Sequence, residues 1–578
     1  MNKARQERKT VYSQAVQGLR GSFIVVALFS AAVNILMLTG PMFMLQVYDR
    51  VLSSGSVPTL QALYLIVLAL FVFMGIYDFL RNRILSRAAY RFDQAVSGDA
   101  YAIWLRAALA DKPMLSRPLA DLAVVRGFLA SPPMLGFFDL PWIPLYLGVT
   151  FIVHPWLGWL AVAGVCVVLV LALMNQAFSK EHIARAMQMD GTESFFIEQS
   201  RRTAEAVLPM GMRPGVSARW AEMHRDGLAT GQVGSDRSQG FTAMSKAFRL
   251  FLQSSLLGLG GYLALQQEIT AGMIVAASII AGRALAPIDQ VIGQWATVVR
   301  AREANKRLKQ VFADAPTPRP VIDLPPANGY LVVSNITKNV PGAHERAPIL
   351  DVVNFHLEPG DALGVIGPSA SGKSTLARIL VGATLPDEGN VRLDGATLDQ
   401  WSETALGQQI GYLPQKLELT TGTVRDNIAR FDPEASDEKV IEAARMAGVH
   451  EMILQLPDGY ATQLFYDSSI LSGGQLQRIG LARAVYGIPR YVIMDEPNSN
   501  LDAAGDDALS DAILALREAG TTVVVMAHRP SAIAAVNKVL VLHGGRVAEF
   551  GPRDEVLKKA TRPRAVADKA AQTQVISP

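Results

Sequence analysis

The residues whose types and spacing point to chemistry lie in the second half of the chain, beginning with the string ALGVIGPSASGKSTLARILVG. Gly367, Gly372, Lys373 and Ser374 satisfy the pattern G-x-x-x-x-G-K-[ST], with a strand-like run before it and a helix-like run after it. In such a loop the glycines let backbone N–H groups curl around phosphate oxygens, and the start of the following helix adds its positive end. The segment Gly367, Pro368, Ser369, Ala370, Ser371, Gly372, Lys373, Ser374 and Thr375 is therefore expected to bind the phosphates of ATP. Lys373 would reach the β- and γ-phosphates, and the Ser374 hydroxyl would sit on Mg2+. Downstream, RYVIMDEP is an apolar strand ending in two carboxylates. Asp495 is placed to hold the same Mg2+, and Glu496 to polarise an attacking water as general base. Many strands end in acids; the phosphate loop upstream singles this one out.

Between loop and acids lies ILSGGQLQRIGLARA, whose LSGGQ string, Leu471 to Gln475, resembles the signature of ATP-binding-cassette (ABC) proteins. Ser472, the backbone of Gly473 and Gly474, and Gln475 stand at the start of a helix and would capture γ-phosphate there. The family's other strings follow in order. Gln415 in IGYLPQ resembles the glutamine that senses Mg2+ and the membrane domain, and Asn500-Leu501-Asp502 resembles the D-loop. His528 in VVVMAHRP resembles the histidine that contacts γ-phosphate. The resemblance implies catalytic roles for Glu496, His528 and Gln415, and Mg2+ held by Ser374, Gln415 and Asp495.

It also implies two cassettes meeting head to tail, with ATP gripped by the phosphate loop of one and the signature of the other. One chain supplies one of each, so it must pair. No catalytic string is degenerate, which favours a homodimer with two competent sites. Two strings depart from common family patterns. SNITKNVPG puts Val340 where an aromatic ring often stacks on adenine, and QLFYDSSI lacks the glycine- and acid-rich stretch often found ahead of the signature.

What positions this machinery is an α/β domain, expected over 329–560, with short apolar strands separated by turns. Ahead of it, AREANKRLKQVFADAPTPRPVIDLPPAN passes from a charged helix into a Pro-rich stretch, so 306–328 reads as a linker. The first half is different. Of the 578 residues 18% are charged and half are hydrophobic, whereas a soluble protein carries about a quarter charged. The long uncharged runs all precede about residue 300, and a spanning helix needs about 20 apolar residues.

Ser22 to Val47 and Val57 to Tyr77 are two such runs. Asp139 to Lys180 reads as a tight hairpin turning at His154-Pro155, its first arm starting near Met134 and leaving Asp139 near the membrane surface. Leu250 to Gln267 and Ile269 to Ala281 complete about six spans. The fold class expected is thus multi-domain: an all-α six-helix transmembrane exporter domain over 21–305, after a segment 1–20, followed by an α/β P-loop nucleotide-binding domain.

Basic residues flank the first two spans: Lys3, Arg5, Arg8, Lys9 and Arg20 before the first, Arg81, Arg83, Arg87 and Arg91 after the second. Both termini and the ATPase are therefore expected in the cytoplasm. The connections 82–133 and 177–246 are too long for plain loops, so the helices should run on beyond the bilayer. Each holds a Pro/Gly-interrupted patch, 111–121 and 208–220, suited to a short transverse helix touching the ATPase or to an ordinary helix–helix turn. Arg283 and Asp289, in GRALAPIDQ, read either as a polar lining of the pathway or subunit link, or as residues beyond a helix that has left the bilayer near Gly282.

The net charge of +3 argues against bulk binding of nucleic acid. The single cysteine, Cys166, excludes an intramolecular disulfide and reads as a small packing residue. The basic N-terminal stretch and long first run suit a retained anchor better than a cleaved signal. The tail 561–578 is polar and expected to be flexible.

The strings GPMFMLQVYDRVL, FFDLPWIPLY, GRALAPIDQVIGQW, DEPNSNLD and AHRPSAI together resemble the inner-membrane ATPase of type I secretion systems, in the branch exporting proteases, lipases, surface-layer and repeat-in-toxin proteins. The resemblance spans about residues 20 to 560. It implies a periplasmic adaptor, an outer-membrane channel and a protein cargo with an uncleaved C-terminal signal. No cysteine-peptidase-like stretch precedes the first span. The rivals are a lipid or small-molecule exporter of the same architecture, and a tethered regulatory ATPase that moves nothing.

Overall fold

Uncharged runs long enough to cross a bilayer become helices, because in hydrocarbon every backbone N–H and C=O must be satisfied within its own segment. A computed structural model describes residues 2–109, 117–315, 324–340, 347–465, 471–527 and 533–560. Contacts divide the chain into two units, Met1–Thr317 and Pro318–Pro578.

The first unit is built from α1 (Asn2–Leu36), α2 (Thr39–Gln46), α3 (Val57–Ala107), α4 (Pro118–Leu129), α5 (Pro132–Asp139), α6 (Ile143–Val153), α7 (Pro155–Arg202), α8 (Arg213–Leu265), α9 (Ala271–Gly293) and α10 (Trp295–Asp314). Among the described residues six stretches are long and apolar enough to span a membrane: Val11–Ser54, Val57–Ala107, Pro132–Val153, Pro155–Arg202, Arg213–Leu265 and Ala271–Gly293. The 51 residues of α3, 48 of α7 and 53 of α8 run unbroken. At 1.5 Å per residue each is about 70–80 Å long, more than twice a hydrocarbon core of about 30 Å. The long connections are thus mostly continuing helix, as their patterning predicts.

The hairpin turns where expected: α6 ends at Val153, and His154 caps α7 by accepting from the Trp156 N–H at 3.3 Å. Residues 110–116 of the first Pro/Gly patch lie outside the described residues. Near the second, a one-turn helix occupies Ala204–Val207, ahead of the Pro and Gly residues, and α8 begins at Arg213.

Several polar side chains inside this unit are paired, although Asn175 Nδ2 and Trp295 Nε1 are buried without a hydrogen-bond partner. Asp139 is buried among the helices and accepts from Arg81 Nη1 at 2.9 Å and Asn34 Nδ2 at 2.8 Å. Arg81 also donates to Ser30 Oγ at 3.1 Å, and the Tyr146 hydroxyl donates to Asn34 Oδ1 at 2.8 Å. Asp289 accepts from Arg249 at 2.9 Å and Ser245 at 2.7 Å, both on α8, while Arg283 is exposed. The helix α9 runs through Gly282 to Gly293 with Pro287 inside it.

At the other end of α9, Asp49 accepts from Thr270 Oγ1 at 2.6 Å and the Gly272 N–H at 3.0 Å. Cys166, expected as a packing residue, is exposed on α7. A spanning helix is apolar on its outer face too, because lipid tails are as apolar as a protein core.

Residues 306–314, read from sequence as linker, continue α10. Ala304, Leu308, Val311 and Phe312 pack with Tyr12, Phe92 and Leu122 in the helical core, and Arg307 Nε donates to Asp121 Oδ2 at 3.0 Å.

The second unit holds twelve strands among its described residues. These are β1 (Leu331–Lys338), β2 (Leu350–Leu357), β3 (Ala362–Ile366), β4 (Glu388–Leu393), β5 (Ala396–Thr397), β6 (Ile410–Leu413), β7 (Gly422–Thr423), β8 (Gln463–Leu464), β9 (Tyr491–Asp495), β10 (Thr522–Met526), β11 (Lys538–His543) and β12 (Arg546–Pro552). The central sheet has the order β12-β11-β3-β10-β9-β6, parallel except for the β12 edge. Every residue of β9 and β10 is buried, as a parallel sheet covered on both faces requires. One face packs under an antiparallel sheet ordered β2-β1-β4-β5, the other under helices that follow β6. The first face also carries α11 (Lys373–Leu380), after β3, and α12 (Glu403–Gln409), just ahead of β6, whereas α13 (Val424–Ile428), α14 (Asp437–Met446) and α15 (Gly473–Val485) follow β6 and cover the other.

Candidate active site

Four neighbouring parallel strands, β3, β10, β9 and β6, end on the same edge of the sheet, and each carries one predicted element just beyond its carboxyl end. This is the edge at which open α/β sheets bind ligands.

After β3 the phosphate loop turns through Ala370 (φ +64°) and Gly372 (φ +99°) into α11. Glycine is required at both ends of the loop. A Cβ on Gly372 would lie 2.8 Å from the Ile349 carbonyl oxygen, and one on Gly367 2.1 Å from that of Leu542. Lys373 is buried, and its Nζ donates to the Gly367 and Pro368 carbonyls at 2.8 and 3.0 Å. Burial pushes its ammonium pKa down, while Glu496 and Asp495 pull it back up. The Ser371 hydroxyl is buried in the same loop without a hydrogen-bond partner. A buried unpaired hydroxyl is costly, so a loop that holds one is suited to a polar ligand such as a phosphate oxygen.

Ser374, the first-turn residue of α11, donates through Oγ to Asp495 Oδ1 at 3.2 Å. Asp495 closes β9, is buried, and has its carboxyl pKa raised, first by burial and further by the Glu496 charge; the Ser374 hydroxyl, Arg378 and Lys373 act against the rise. A divalent cation beside it would offset that desolvation. Mg2+ characteristically takes one or two carboxylates plus hydroxyl, water and phosphate oxygens, and Ser374 with Asp495 fits that donor set.

Glu496 follows at φ +53°, a left-handed conformation uncommon for glutamate, held by its N–H donating to the Met526 carbonyl at 3.1 Å. That turn directs the chain away from β9 just where the general base is expected. Leu413 of β6 pairs with Met494, so Gln415, two residues on and exposed, leaves the sheet beside the acids. His528 lies outside the described residues; β10, which precedes it, ends at Met526.

The signature helix α15 is capped by its own string. Ser472 Oγ accepts from the Gln475 N–H at 3.3 Å, and Gln475 Oε1 accepts from the Ser472 N–H at 2.8 Å, a reciprocal capping box. The Gln475 side chain, placed from sequence among nucleotide contacts, is thus used for the cap. Gly473 and Gly474 lie against Asn500 of the D-loop string; a Cβ on Gly474 would come 2.9 Å from the Asn500 carbonyl oxygen. No hydrogen bond joins Ser472–Gln475 to Gly367–Thr375 among the described residues.

One residue went unnoticed in the sequence. Gln477, buried on α15, donates through Nε2 to the Glu496 carbonyl at 3.2 Å and to that of Pro497, and its Oε1 accepts from the Asn500 N–H at 3.1 Å. It ties the signature helix to the Glu496-Pro497 peptide and to Asn500. A lone glutamine on a helix reads as solvated, and only its place two residues beyond the signature marks it.

Comparison with known proteins bears on the family and the fold. Residues 350–499 match the ABC transporter family model. The chain is 42% identical, over 96% of its length and 95% of the relative's, to the type I secretion system ATP-binding protein PrsD of Rhizobium meliloti. It is 28% identical to the cyclolysin secretion/processing ATP-binding protein CyaB of Bordetella pertussis, over 92% of this chain and 75% of that one. The structure of a bacterial Atm1-family ABC exporter with ATP bound superposes with a TM-score of 0.78 at 22% identity, covering 94% of this chain and 96% of the other, which supports the fold.

Proposed function

Since this chain belongs to the type I secretion ATP-binding proteins of the ABC transporter family, we propose that two copies of it form an inner-membrane homodimer that exports a protein bearing a C-terminal signal, with both ATPase domains in the cytoplasm. That the chain is a multi-pass membrane protein and an ABC-type ATPase follows from its six apolar helices and its family. The observation that carries the chemical part is the Ser374–Asp495 contact at 3.2 Å, with Glu496 next in the chain.

In this mechanism the Gly367–Thr375 loop holds the β- and γ-phosphates through backbone N–H groups and Lys373. Ser374, Asp495 and Gln415 would hold Mg2+, which would supply neutralisation of phosphate charge. Glu496 takes a proton from the attacking water, and His528 contacts the γ-phosphate. Ser472, Gly473 and Gly474 of the second copy close the site from the other side. The capped, exposed N-terminus of α15 is suited to that anion. The half-buried Val340 would give adenine apolar contact in place of ring stacking.

A periplasmic adaptor and an outer-membrane channel would complete the path. The full-length similarity to a type I secretion protein supports that assembly over a lipid or small-molecule exporter. The test is ATP turnover by the purified protein in lipid nanodiscs. A C-terminal fragment of a protein secreted by the same cells should stimulate it, whereas lipids and small hydrophobic drugs should not; the reverse pattern would establish the rival exporter. Glu496→Gln should lower turnover by roughly 100-fold or more, and a wild-type rate in that variant would remove Glu496 as general base.

A further inference from the structure

Arg430 follows α13 in the loop that returns from the Gln415 segment, and no carboxylate pairs with it among the described residues. Its guanidinium instead donates to four backbone carbonyls, each at 2.8 Å: Nε to Arg483, Nη2 to Ala484, and Nη1 to both Gly407 and Ile410. Arg483 and Ala484 form the last turn of α15, Gly407 the last turn of α12, and Ile410 the first residue of β6. Helix C-termini present unpaired carbonyls and the negative end of the dipole, which explains how a desolvated cation is held without an acid. Burial brings its pKa down to about 10, so it stays charged at neutral pH.

The pieces that Arg430 joins are also in close backbone contact. A Cβ on Gly411 would fall 2.1 Å from the Ala484 carbonyl oxygen, and one on Gly480 would fall 2.2 Å from the Leu417 side chain. The chain leaves β6 at Leu413, passes Gln415 and Leu417, and comes back at Arg430 to the start of the same strand. Arg430 and Phe431 adopt φ of +56° and +57°, a left-handed pair that turns the guanidinium inward.

We infer that Arg430 is a positioning residue for ATP hydrolysis: it fastens the C-terminal end of the signature helix to the strand that carries Gln415, so that Gln415 and Ser472 move as one piece. The inference rests on the proposed roles of those two residues. A displacement of the Gln415 loop then shifts the whole of α15, and with it the phosphate-binding N-terminus at its far end.

The test compares Arg430→Gln and Arg430→Lys with the wild-type protein in nanodiscs, with Lys373→Ala as control. Three quantities are read: thermal midpoint, equilibrium binding of a fluorescent ATP analogue, and turnover against ATP concentration. The expected result for Arg430→Gln is a kcat lowered roughly tenfold or more with analogue affinity within about twofold of wild type. Arg430→Lys, which keeps the charge but lacks the fork, should fall between. Wild-type kcat in Arg430→Gln overturns the inference. So does a loss of kcat matched by equal losses of analogue binding and thermal midpoint, which is a structural role only. Should Arg430→Gln not fold, Arg430→Lys is judged by the same criteria. Undiminished turnover in Lys373→Ala would instead overturn the ATP-site reading itself.

Discussion

Asp495 shows how a single residue can work against the stability of the domain it serves. Its carboxylate is buried beside Glu496, and burial is the largest reason its pKa stands above the ordinary aspartate value of 3.8. An acid whose folded pKa exceeds its unfolded one binds more protons when folded. The resulting penalty on stability is absent below the unfolded pKa and complete once the pH has risen through the folded pKa. At neutral pH, without nucleotide, Asp495→Asn should therefore raise the thermal midpoint while abolishing Mg2+-dependent turnover. The gain over wild type should shrink as the pH is lowered toward 3.8. A lower midpoint for Asp495→Asn across the whole range would show that the Ser374 contact outweighs the desolvation. This is the pattern expected where a catalytic site trades stability for function.

Spanning helices raise the same question at the next scale, because polar groups between them are costly unless paired. Arg81 on α3, Asp139 on α5, Asn34 and Ser30 on α1 and Tyr146 on α6 form one buried network. Removing one charge strands the other, a cost of about 3–5 kcal/mol for a buried pair. Asp139→Leu alone should destabilise the helical unit by about that amount. Arg81→Leu combined with Asp139→Leu should cost clearly less than the two single changes added together. Thermal unfolding in detergent measures the cycle, and strict additivity would mean that the pair is not coupled. The network could not be read from the sequence, where Asp139 looks like a residue at the membrane edge and Arg81 like a flanking cation. Both descriptions use only position along the chain, whereas pairing depends on which faces of four helices meet.

For the whole molecule, the central question is which chains build each ATP site. If the phosphate loop of one copy meets the signature of the other, two different dead chains can complement. Co-expressing a Lys373→Ala chain with a Gly474→Asp chain gives mixed dimers in which one site carries both lesions and the other carries neither. The Gly474→Asp change is disruptive because its Cβ would stand 2.9 Å from the Asn500 carbonyl oxygen. Each variant alone should be inactive, and the mixture should recover turnover. Each chain can be given its own affinity tag, so that mixed dimers are purified and assayed directly. No recovery in purified mixed dimers would place both halves of a site in one chain.

The sequence by itself determined the identity of the chemistry and the number of spans. The phosphate loop, the Asp495-Glu496 strand end and the LSGGQ string depend on contiguous residues whose backbone geometry is local, and an apolar run of sufficient length must be helical in lipid. Tertiary structure alone decided what the polar residues do once several elements converge. It buried Asp139 against Arg81, turned Asp289 toward α8 and extended α10 through residues read as linker. It set Gln477 against the Glu496 peptide and gave Arg430 four carbonyls in place of an acid. In each case the partner is a distant segment, or a backbone carbonyl that every residue carries and no sequence pattern marks. Local patterns therefore name the catalytic parts, and packing between distant segments determines how those parts are held.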